Sequence, residues 1–158
     1  MTNRQRSNTK EMIMQLFHTS HKEITEINKS GRFGEFLFFS SRVYQMCAGE
    51  AVVYSIEIKE NEVINAGSLF YHEDAEKLEG LVEMFCNRFD VDADTAEEMI
   101  SERQHLEEYD ADDLCDVQHY TAQAAKILGF RGVRVTDEQG TAYMIDMLDQ
   151  LEKLQIEA

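Results

Sequence analysis

The hydrophobic period of this chain changes twice, and those two changes bound the folds it can adopt. Met12 to Phe17 is apolar with one polar break, and Ala51 to Ile58 alternates, with Val52, Tyr54, Ile56 and Ile58 on one face and Val53, Ser55 and Glu57 on the other. Both runs read as strands, in which side chains alternate between faces. From Asp74 the period lengthens, and Leu78, Leu81, Val82, Phe85 and Phe89 fall at helical spacing. At Gly132 it shortens again. Gly132–Thr136 and Thr141–Asp146 are β-prone runs on either side of Asp137-Glu138-Gln139-Gly140, which reads as a hairpin. Strands first, helices in the middle and strands at the end describe an α+β domain rather than a βαβ alternation. The 158 residues suffice for one domain with a real core.

Other segments fill this frame. Phe36–Phe39 is a short continuous apolar run, the pattern of a buried strand. His21–Ser30 carries Ile24 and Ile27 at helical spacing, with Gly31 as its stop. Ser41–Glu50 reads as a short helix capped by Ser40 or Ser41. Glu62–Phe70 reads as a continuation of the sheet, broken at Gly67. Asp94 or Thr95 is expected to cap a helix running through Arg103, and Asp112 or Asp113 another that ends at Gly129. Met147–Leu154 reads as a short helix or loop. Residues 1–10 read as a frayed tail and residues 11–158 as a single domain. The polar N-terminus has no apolar h-region, so no signal peptide is expected, and no apolar run reaches membrane-spanning length. Cys47, Cys86 and Cys115 are far apart and odd in number, which points to reduced thiols in a cytoplasmic protein and to no metal site.

Charge narrows the function classes. The net charge of −16 argues against direct binding to nucleic acid, which relies on basic contacts to phosphate, and favours a basic partner. Asp90 to Asp116 holds twelve acidic residues against Arg103 alone, a local charge of −11. A solvated helical face explains such a run, and so does a surface that docks on a nucleic-acid-binding protein.

Three short segments carry groups that suit ligand chemistry. His18-Thr19-Ser20 ends the first strand; a rigid strand end can hold a hydrogen-bonding side chain in place. Phe38-Phe39-Ser40 ends the second; Phe36 and Phe38 fall on one face and Phe39 on the other. Tyr44 follows four residues after Ser40. Asp137 and Glu138 open the hairpin turn. Each has a plain structural reading beside it: a lone histidine is usually structural, a phenylalanine run is usually core, and Asp and Gly are common for backbone reasons in turns. Alternation places Asp137 with Val133 and Val135, facing inward, and Glu138 at or beyond the turn.

These segments together resemble the ADP-ribosyltransferase fold, with small split antiparallel sheets around an NAD cleft and here a helical middle segment. The chain is most similar to the ADP-ribosylating anti-CRISPR family that inhibits type I-F systems. The motifs carrying the resemblance are Leu16-Phe17-His18-x-Ser20, Glu23-Ile24-x-Glu26-Ile27, Ser30-Gly31-x-Phe33-Gly34, Leu128-Gly129-Phe130 and Asp137-Glu138-x-Gly140-Thr141. The resemblance implies transfer of ADP-ribose from NAD, as co-substrate, to a protein side chain on a CRISPR surveillance complex, blocking DNA recognition. It implies that His18, Thr19 and Ser20 hold a ribose, that Phe38 stacks on nicotinamide with Ser40 beside it, and that Tyr44 closes the pocket. Many members of the wider fold carry a glutamate directly before the last aromatic-apolar strand; here Ala142 stands before Tyr143. The anti-CRISPR branch instead implies an acid at Asp137, with Glu138 as its rival. Two other readings stay open: a transferase on another host protein or NAD hydrolase, and a non-catalytic acidic decoy for a basic surface. No membrane contact is expected.

Overall fold

The computed structural model describes residues 12–20, 24, 35–41, 52–104, 110–137, 140–148 and 150–156. The expected tail, the expected helices over 21–30 and 41–50, Tyr44, Cys47 and Glu138 lie outside the described residues, apart from Ile24 and Ser41.

Among the described residues, seven strands form two sheets. The first sheet runs β1 (Ile13–Ser20), β3 (Val52–Lys59) and β7 (Gln155–Ile156). In it β1 and β3 pair antiparallel from Ile13↔Lys59 to Ser20↔Val52. The second sheet has the order β2 (Phe36–Phe39), β6 (Gly140–Asp146), β5 (Gly132–Asp137) and β4 (Val63–Asn65). The β5–β6 hairpin is antiparallel, as is the β2–β6 pair, whereas β4 lies parallel to β5. Between β4 and β5 the described residues include three α-helices: α1 (Glu79–Phe89), α2 (Ala93–Ile100) and α3 (Ala111–Ile127).

The second sheet is covered on both faces. Leu37, Phe39, Tyr143 and Ile145 meet Leu16, Ile56 and Ile58 of the first sheet in one apolar core. Phe36, Val133, Val135 and Met144 meet Leu81, Phe85, Met99, Ile100 and Ala125 of the helices in another. That is why Ala142–Ile145 is apolar without alternation: each successive side chain enters a different core. Gly132 faces Ile145 across the hairpin, where a Cβ would strike Ile145 Cδ1 and stand 2.8 Å from the Met144 carbonyl oxygen.

Three sequence expectations need correction. Glu62–Phe70 does not continue the first sheet. Only Val63–Asn65 is strand, and it joins the second sheet. Ala66–Tyr71 then winds as a 3₁₀ helix, whose three-residue period buries Ala66 and Leu69 on one side. The caps lie earlier than expected. Asp92 accepts the Thr95 N–H and Asp110 the Asp113 N–H, both at 2.8 Å, because an N-cap side chain reaches the amide three residues ahead. Asp94 and Asp113 sit inside the first turns instead, where negative charge suits the helix dipole. The helix over Ala93 stops at Ile100, short of Arg103. Within Met147–Leu154, expected as a short helix or loop, Leu151–Lys153 is a 3₁₀ helix; beyond it β7 pairs Tyr54↔Ile156 and Ser55↔Gln155, and two residues are too few to show a period.

Candidate active site

Among the described residues, a two-residue backbone bridge links the two sheets beside their shared core. Phe17 and Ser40 exchange both backbone hydrogen bonds at 2.8 Å. This bridge brings the ends of β1 and β2 together, and His18 sits beside it. The His18 side chain shares a face with Leu16, on the side that meets the second sheet. Its Nδ1 lies 2.6 Å from the Phe38 carbonyl oxygen, and its ring centroid lies 5.6 Å from that of Phe39. Burial holds the His18 pKa below its ordinary value, with the Phe38 carbonyl pulling the other way. The ring is therefore neutral at pH 7. A carbonyl only accepts, so the proton stays on Nδ1 and Nε2 keeps a lone pair. His18 is thus fixed in tautomer and orientation and offers an acceptor to a hydroxyl.

Neighbouring groups shape the same region. Tyr54 is the cross-strand partner of His18, and its hydroxyl accepts the Ile24 N–H at 2.8 Å. Ser20 follows His18 on the same face of β1, and Thr19 falls on the other by alternation. Ser40 is 3% exposed, locked into the bridge. Phe38 contributes its carbonyl here, but its ring packs on the helical side of the second sheet. The aromatic that meets His18 is Phe39. Alternation along β2 was visible in the sequence and separates the two rings; which face meets β1 was not.

From Phe39 a register row crosses the second sheet: Phe39↔Tyr143, Tyr143↔Arg134, Arg134↔Asn65. The Arg134 guanidinium lies 3.3 Å from Asn65 Oδ1 and 5.8 Å from the Tyr143 ring centroid. Met14, Asn65, Arg134 and Tyr143 line a small polar cavity of about 210 Å³. Nothing in the sequence pattern singled out Arg134.

Asp137 is the last residue of β5, paired through its backbone with Gly140. The register puts Ser40 and this hairpin end at the same end of the second sheet, but the face expected for Asp137, that of Val133 and Val135, is the helical one, opposite the face that meets β1. Two strand spacings and two residues of rise separate their backbones, about 12 Å in all. The edge of β5 is finished by a side chain. Beyond the last β4 pair, the Thr136 N–H donates to both carboxylate oxygens of Glu102, at 3.0 and 3.2 Å. Glu102 adopts φ +65°, a left-handed conformation that non-glycine residues rarely take. Among the described residues no cluster of His, Cys, Asp and Glu could hold a metal ion. No helix among them is long and apolar enough to cross a membrane.

Against this geometry the comparisons are specific. The family model described as "Anti-CRISPR Type I-F ADP-ribosyltransferase AcrIF11" matches residues 14–152. A solved structure titled "Crystal structure of an anti-CRISPR protein" is 27% identical, with a TM-score of 0.56 over 92% of this chain and 95% of that one. No curated protein matches the sequence.

Proposed function

The chain belongs to the AcrIF11 family of type I-F anti-CRISPR ADP-ribosyltransferases, and from that premise we propose that NAD is held at the sheet junction and that Asp137 supplies the catalytic carboxylate. Membership makes NAD the substrate of the reaction. The observation that carries our reading is His18: a neutral ring, its tautomer fixed by the Phe38 carbonyl, with a free acceptor beside the bridge between the sheets. Such an acceptor suits a ribose hydroxyl. Ser20 shares its face, and Ser40 and Thr19 stand one step away on the joined strands. In this reading Phe39 rather than Phe38 offers the ring next to His18, and Tyr44 closes the pocket from the segment after Ser41. Arg134, in register with Tyr143 and Phe39, supplies a positive charge for the diphosphate.

The chemistry follows from the bond that breaks. The electron pair of the ribose C1′–nitrogen bond leaves with nicotinamide, and the ribose becomes oxocarbenium-like. A carboxylate hydrogen-bonded to a ribose hydroxyl stabilises that positive charge, and an aspartate of ordinary pKa is ionised at neutral pH. A side chain of the acceptor protein then bonds C1′ and gives up a proton. We take that acceptor to lie on the type I-F surveillance complex, whose nucleic-acid-gripping surface is basic and suits a chain of net charge −16. The test is incubation with labelled NAD and a purified type I-F complex, followed by mass analysis of labelled subunits. Label on a complex subunit, lost with Asp137→Ala, is the expected result. Inhibition of the complex at one-to-one stoichiometry without NAD would replace catalysis by an acidic decoy.

A further inference from the structure

The helical layer carries a groove far from the sheet junction. It lies between the 3₁₀ segments Ala66–Tyr71 and Ala75–Leu78, α1 and the start of α2, and encloses about 550 Å³. That is within the range of pockets that bind ligands. Its floor is apolar, formed by Phe70, Leu78, Val82 and Cys86, all packed on the helical side of the second sheet. His18 and Phe39 meet on the opposite side of that sheet, so a molecule in the groove leaves the junction open.

The rim has one sign. Glu76, Glu79, Glu83 and Glu97 surround the floor, no Lys or Arg lines it, and none of the four has an ion-pair partner among the described residues. Glu79 and Glu83 stand one turn apart on α1, a spacing at which like charges repel and weaken a helix. Several other acids of the helical layer are used internally: Asp92 and Asp110 cap helices, and Asp113 and Asp116 pair with Arg88. In this groove an apolar floor coincides with carboxylates that have no ion-pair partner among the described residues.

We propose that this groove docks a cationic segment of a protein partner, with one or two apolar side chains on the floor and Lys or Arg side chains against the four glutamates. The rim excludes the other occupants. Phosphate-bearing lipid or nucleic acid is repelled by it, and a second copy brings its own charge of −16 and offers the groove the same sign. The inference stands apart from the identity of the catalytic acid.

Fluorescence anisotropy with the full chain tests it. The probe is a labelled peptide of Lys and Leu with its Leu residues on one helical face, measured at physiological ionic strength. Binding with a Kd of about 1–100 μM is expected. Glu79→Lys with Glu83→Lys should weaken it roughly tenfold or more, while Glu57→Lys with Glu152→Lys, exposed and outside the groove, should change it less than about twofold. Equal weakening by both pairs, or equal affinity for a Lys/Ser peptide of the same charge, would reduce the attraction to net charge and overturn the proposal. Absence of binding would do the same. So would a dimer in sedimentation that the Glu79→Lys, Glu83→Lys pair dissolves, since the occupant would then be a second copy.

Discussion

His18 is the residue on which the ligand reading turns, and its protonation gives the reading a pH signature. With Nδ1–H committed to the Phe38 carbonyl, only the neutral ring leaves Nε2 as an acceptor. His18→Ala should weaken NAD binding by about 1–3 kcal/mol, the cost of losing a buried hydrogen-bond partner, as read by calorimetry. The same measurement on the wild type should show binding intact above pH of about 6.5 and lost as the pH falls through the depressed His18 value. Stability has the same sign. Burial lowers the pKa of His18 and of His119 in the folded state, so the unfolded chain binds more protons below about 6.5. Their contribution is present above that pH and declines below it; an acid-side Tm that does not move when His18 is replaced by Gln would contradict this. If Asp137 is the catalytic carboxylate as proposed, Asp137→Ala should cut transfer roughly 100-fold or more while leaving the fold intact, the scale of removing one positioned electrostatic group. Activity that survives there but fails in Glu138→Ala would mean that the neighbouring acid does the work.

At the scale of elements, two devices tie the helices to the second sheet. Lys126, in the last turn of α3, bridges Glu35 at 2.8 Å and Asp146 at 3.2 Å. Burial alone would lower its pKa, but the hydrogen bonds to Glu35 and Asp146 outweigh that and raise it. Glu35 is 8% exposed, so Lys126→Met removes the ammonium group from a buried carboxylate. Because the Lys126 side chain stays 39% exposed, the expected loss is about 1–2 kcal/mol in denaturant unfolding, below that of a fully buried pair. The second device is Glu102 on the open edge of β5. Glu102→Gln keeps an acceptor for the Thr136 N–H and should transfer ADP-ribose nearly as well as wild type. Glu102→Ala leaves that N–H without the carboxylate and should lower kcat by several-fold with little change in KM for NAD, since it loosens the strand that carries Asp137. A Gln variant as slow as the Ala variant would mean that the charge of Glu102, not its hydrogen bond, matters.

For the whole molecule, charge and topology were readable to different depths. The net charge of −16 predicts that labelling of a basic target slows as salt rises, because exposed charges are screened within about 10 Å at 0.1 M. Labelling rates that stay flat from low to high ionic strength would remove long-range attraction from the account. The density of acids at Asp90–Asp116 does not translate directly into an interface: helix caps, the Arg88 pairs and the Thr136 contact already occupy several of them. Period and capping chemistry act over a few residues, so the sequence by itself determined β1, β2, β3, the β5–β6 hairpin, the helical middle and the α+β class. It also carried the histidine motif and the hairpin acid. The tertiary structure decided the rest, because the deciding contacts join residues far apart in the chain. Phe36–Phe39 could have extended the first sheet; instead it pairs with β6, and the strand end just beyond it meets β1 in the Phe17–Ser40 backbone bridge. Val63–Asn65 and Gln155–Ile156 are too short to announce themselves and become strands only because β5 and β3 present open edges. The choice of Phe39 over Phe38 beside His18, and the row that brings Arg134 into line with them, follow from which face of a doubly covered sheet meets β1, and no local pattern encodes that.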